Sequence, residues 1–92
     1  MQELKNTEKI TSLMNELVKA INEYNEGNSL KLFGLYINRW NEMEVHVDGA
    51  PLDWDYEDRQ IDERVKLKQV VNGVTFWDLK KKADVLAAHK EA

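Results

Sequence analysis

The dipeptide Asn72-Gly73 stands between two alternating runs, RVKLKQVV (64–71) and VTFW (74–77). A two-residue type I′ turn needs positive φ at both central positions, and Asn-Gly meets that need with little strain. Such a turn sets a register in which Val71 faces Val74, Gln69 faces Phe76 and Lys68 faces Trp77. Because strand side chains alternate, Val65, Leu67, Val71, Val74 and Phe76 share the core face, and Lys66, Lys68, Val70, Thr75 and Trp77 the other. Lys68 is expected to lay its ammonium or its stem on the Trp77 ring.

A second hairpin is expected upstream, from 30–38 (LKLFGLYIN) and 43–48 (MEVHVD). Met43, Val45 and Val47 alternate with Glu44, His46 and Asp48. Residues 30–38 are apolar on both faces and read as a central strand. Trp40 lies near the tip of the intervening loop, 39–42. Before the hairpin, residues 3–26 form an amphipathic helix, with Ile10, Leu13, Met14, Leu17, Val18, Ile21 and Tyr24 on one face. Gly27-Asn28 is its expected stop, and Asn6 or Thr7 would cap a shorter version. Asp78 is expected to cap a last helix, about 79–90, with Lys80, Lys81 and Lys82 in its first turn. The fold expected is α+β, one domain over 1–92. It comprises an N-terminal helix, a four-stranded antiparallel sheet from two hairpins, and a C-terminal helix, with both helices on one face.

Composition removes several classes. The chain has no Cys, which excludes disulfides and thiol chemistry. No apolar run approaches the roughly 20 residues of a membrane span. The stretch MQELKNTEKI lacks the apolar core of a signal peptide, so a cytoplasmic location is expected. Net charge is −4, but it is unevenly spread. Residues 42–63 carry nine acids against Arg59 alone, and residues 64–82 carry six bases against Asp78 alone.

The acidic segment contains DWDYEDRQIDE (53–63). Asp53, Asp55 and Glu57 begin like a calcium loop. That template then needs Gly at its sixth position and Glu at its twelfth, where this chain has Asp58 and Arg64. No metal or cofactor is therefore expected. His46 and His89 lack any nucleophile or ligand motif beside them, and no Gly-rich phosphate loop exists, so the chain does not read as an enzyme. If the segment is extended, Asp53, Asp55 and Glu57 point one way and Trp54, Tyr56 and Asp58 the other. Aromatic anchors flanked by acids suit a protein partner with a basic surface. The expected site is Asp53, Trp54, Asp55, Tyr56, Glu57, Asp58, Asp62 and Glu63. The opposing reading has Trp54 and Tyr56 plugging the edge of the core under a solvated loop. A second function class is a nucleic-acid-binding adaptor using Arg64, Lys66, Lys68, Lys80, Lys81 and Lys82, with Trp77 stacking on a base. A third is a structural or assembly subunit, and the split charge also permits a homo-oligomer.

With EVHV (44–47), the acidic stretch 53–63 and NGVTFW (72–77) leading into a last helix, the chain resembles the small acidic accessory proteins of phages and mobile elements, anti-CRISPR proteins among them. The resemblance is one of style over most of the chain and carries no site residues. It implies an inhibitor that occupies the nucleic-acid-binding surface of a host or rival protein.

Overall fold

The computed structural model describes residues 3–58 and 63–91. Its elements are α1 (Glu8–Gly27), β1 (Lys31–Ile37), β2 (Met43–Asp48), β3 (Asp55–Asp58), β4 (Arg64–Val71), β5 (Val74–Lys81) and α2 (Lys82–Glu91). The strands form one sheet in the order β1-β2-β5-β4-β3. β2 and β5 run parallel, and the other neighbours are antiparallel. The α+β class stands, but the expected sheet of four antiparallel strands is corrected to five with one parallel pair. The cause is β3. The acidic connection is partly a strand on the far edge, from which β4 and β5 fold back until β5 lies beside β2.

The Asn-Gly turn forms as the sequence predicts. Asn72 has φ 51° and Gly73 φ 79°, and Val71–Val74, Gln69–Phe76 and Lys68–Trp77 are partners. β5 runs past Asp78, which corrects the expected helix cap. Asp78 pairs with Leu67 and Lys81 with Arg64, so a ladder of backbone bonds overrides the local capping signal. The Lys82 N–H, at the start of α2, donates to the Glu63 carbonyl at 2.7 Å instead.

β1 is an edge strand, not a central one. Its apolar character on both sides has a local cause. At Gly34, with φ 58°, the register slips by one residue. Leu32, Leu35 and Ile37 consequently oppose Val47, Val45 and Met43 on one face, while Phe33 and Tyr36 oppose His46 and Glu44 on the other. The helix α1 starts after Thr7, which makes no side-chain cap bond. It ends without a left-handed glycine. Asn28 is extended, and its side-chain amide donates to the Tyr24 carbonyl at 2.8 Å.

Both helices occupy the same side of the sheet, as expected. The buried core is Val45, Val47, Ala50, Val65, Leu67 and Val85, the last from α2. α1 contributes no buried residue. It is tied to β1 by Asn25, whose amide donates to the Leu32 carbonyl at 3.0 Å and accepts the Leu32 N–H at 2.8 Å, while Leu17 and Ile21 line a cavity with Leu32, Val45 and Phe76. Ile10, Leu13, Met14 and Val18 are each more than half exposed.

Candidate functional site

Among the described residues of the acidic segment, Asp55–Asp58 form a strand, and Asp53 and Trp54 lie in the turn before it. Asp53, Asp55, Glu57 and Asp58 are exposed, and Trp54 and Tyr56 are half-buried against the core. The two rings therefore sit as edge plugs. Tyr56 meets the His89 ring edge-on at 5.0 Å, and His89 Nε2 lies 2.8 Å from the Trp54 carbonyl oxygen. Thus His89 latches α2 to β3 and to the turn before it. Glu63 is exposed, and its carbonyl receives the Lys82 N–H. Asp62 lies outside the described residues.

β3 pairs with the basic strand β4, with Asp55 opposite Lys68 and Glu57 opposite Lys66. Acidic β3 and basic β4 are thereby laid side by side. Lys68 Nζ is 2.8 Å from Glu57, and Lys82 Nζ is 2.5 Å from Asp58. The Lys68 hydrogen bond holds the Glu57 carboxyl below its ordinary range, while burial opposes it. Asp58 raises the Lys82 ammonium above its ordinary value. Among the described residues, Asp53 and Asp55 have no ion pair.

The basic set is divided. Lys80 turns to the buried Asp78, at 3.5 Å. Lys81 follows on the opposite face of β5, and Lys82 opens α2, so the three do not form one first-turn cluster. Lys66, not Lys68, lies over the Trp77 ring, 5.2 Å from its centroid. Directly opposed strand residues stand side by side, so a long stem reaches the diagonal ring better. Lys66 also approaches Glu44 at 3.6 Å. Glu44 is held below its ordinary range, first by the Asn38 amide at 3.0 Å and then by Tyr36 and Lys66.

The sheet face without helices carries a row of rings. Phe33 lies 4.4 Å from His46, and His46 stacks on Trp77 at 4.3 Å with 13° between planes. His46 Nε2 is also 3.7 Å from Asp78, whose carboxylate accepts the Leu79 N–H at 2.8 Å and the Ala50 N–H at 3.4 Å. Trp77 Nε1 is buried without an acceptor. The row depends on the parallel β2–β5 pairing, which sets His46 beside Trp77, so sequence alternation alone does not reveal it. Among the described residues no trio of acids or histidines is placed to hold a metal ion.

One concavity is strongly apolar. A groove of about 450 Å³ runs between α1 and β1, lined by Met14, Leu17, Val18, Leu35, Ile37 and Met43 among others. No described helix is long and apolar enough to cross a membrane. No protein-family model, curated protein or solved structure matches the chain.

Proposed function

We propose that the chain is a non-enzymatic protein-binding module that takes a basic, extended segment of its partner along β3. The carrying observation is the position of that strand. β3 is a sheet edge, and Asp55 on it and Asp53 in the turn before it are exposed and without an ion pair among the described residues. An edge strand offers backbone groups to an added strand, and alternate side chains choose its sequence. Glu57 and Asp58, tied to Lys68 and Lys82, hold the edge straight, and Trp54 and Tyr56 stiffen it from below. Inhibition of a nucleic-acid-handling protein is one form that such binding would take.

A titration with an Arg/Lys-rich extended peptide, followed by amide NMR, tests this. Binding should move β3 amides, weaken with salt, and fall at least about 10-fold in Asp53→Lys/Asp55→Lys. Shifts spread evenly over the surface, or affinity unaltered by the substitutions, would refute it.

A second reading rests on the rings Phe33, His46 and Trp77 beside Arg64, Lys66 and Lys68. Aromatic rows on an uncovered sheet face suit single-stranded nucleic acid. Lys66, Lys68, Lys80 and Lys82 are each paired to an acid, which weakens this reading. Gel shifts at low salt decide it: no complex near the roughly 10⁻⁴ M of weak non-specific binders removes it.

A further inference from the structure

α1 has an apolar stripe that its own sheet covers at one end only. Ile10, Met14, Leu17, Ile21 and Tyr24 repeat at intervals of four and three, the spacing of helix-on-helix packing. Ile21 is half-buried against the sheet, and Tyr24 lines the adjoining pocket with Leu30, Leu32 and Trp54. Towards the N-terminus the stripe leaves the sheet. Ile10 is 54% exposed, Leu13 55%, Met14 57%, Leu17 40% and Val18 56%, and Ile37 on the neighbouring edge strand is 64% exposed.

From this geometry we infer that two copies of the chain pair through the stripe, α1 against α1 in antiparallel sense, with the ends of both β1 strands at the margins. Area is the first argument. At roughly 150–200 Å² for a fully exposed large apolar side chain, these six residues offer roughly 600 Å² per copy. Two copies would bury roughly 1,200 Å², the lower bound of specific stable interfaces, and Leu35 and Tyr36 add to it. Self-complementarity is the second. A two-fold axis sets one patch on the same patch, and an uncharged stripe meets itself without stranding a charge. The border is the third. Lys9 and Glu16 lie along one side of the stripe, two turns apart and opposite in sign. An antiparallel pair brings each Lys9 towards the other copy's Glu16, whereas a parallel pair sets like on like. This surface is distinct from the acidic edge, because β1 and β3 are the opposite margins of the sheet.

Sedimentation equilibrium from about 5 to about 300 µM should give twice the 10.8 kDa of one chain at the upper end. Leu13→Glu/Met14→Glu should raise the dissociation constant at least about 100-fold, since two carboxylates per copy would enter an apolar contact. Circular dichroism of the diluted variant should keep the sheet signal. The chain has no Cys, so a single engineered thiol gives a second, independent readout. Leu13→Cys, near the axis, should form a disulfide-linked pair under mild oxidation, whereas Lys19→Cys on the back of the helix should not. One-chain mass at about 300 µM, a pair that survives L13E/M14E, or equal cross-linking of both thiols would each overturn the proposal.

Discussion

Asp78 is a buried carboxylate that receives two backbone N–H groups, from Ala50 and Leu79, with His46 and Lys80 at 3.7 and 3.5 Å. Removing it strands the Ala50 N–H in the core. Asp78→Ala should therefore cost about 1–3 kcal/mol in a denaturant titration, and a loss near zero would mean that water replaces the carboxylate. Glu57 makes the pH argument. Lys68 holds its folded-state pKa below the unfolded value, so its contribution is present above about pH 4.5 and is lost as pH falls through the folded value. In Lys68→Ala, carboxyl NMR should find Glu57 titrating closer to its ordinary range. An unchanged curve would refute the pair. Some of this is legible residue by residue: Lys68 opposite Trp77 follows from the turn alone. That Lys66 takes the ring, and that Asp78 is buried, depend on strands remote in sequence, which no local signal reports.

Gly34 and Gly27 are both glycines at element positions, yet substitution should act in opposite directions. A Cβ at Gly34 would meet the His46 Cβ at 3.3 Å, on a residue with φ 58°. Gly34→Ala should cost about 1–2 kcal/mol and disturb the bulge that brings Leu32, Leu35 and Ile37 to one face. Gly27 has open space and helical backbone, so Gly27→Ala should add about 0.5–1 kcal/mol. Thermal melts of the two variants should bracket the parent, and equal shifts would sink the distinction. Periodicity makes α1, β2 and the β4–β5 turn readable. It hides β3, because a four-residue acidic strand has poor β propensity and is made a strand only by β4 alongside it. The acids have a structural use there too, since charge on an edge discourages unwanted sheet pairing.

The whole molecule is long for its size. Its radius of gyration is 16.4 Å and its extents are 52 × 32 × 24 Å, whereas a compact chain of this length has a radius of about 12 Å. Pairing of two copies through α1 makes stability depend on concentration. A tenfold rise in protein should lift the melting midpoint by about 3 °C, and in L13E/M14E by nothing measurable. The β2–β5 pairing is illegible in one sequence because strand order is non-local. It also has a kinetic meaning. The inner edge of β2, Glu44–His46, waits for Thr75–Trp77, which are made some thirty residues later in synthesis. Until then the first hairpin is a two-stranded piece of marginal stability. The β2–β5 pairing therefore cannot close until β5 has been made. Defects in the Asn72-Gly73 turn should slow folding more than they hasten unfolding, and the nascent chain carries an unfilled β2 edge while residues 49–77 are made.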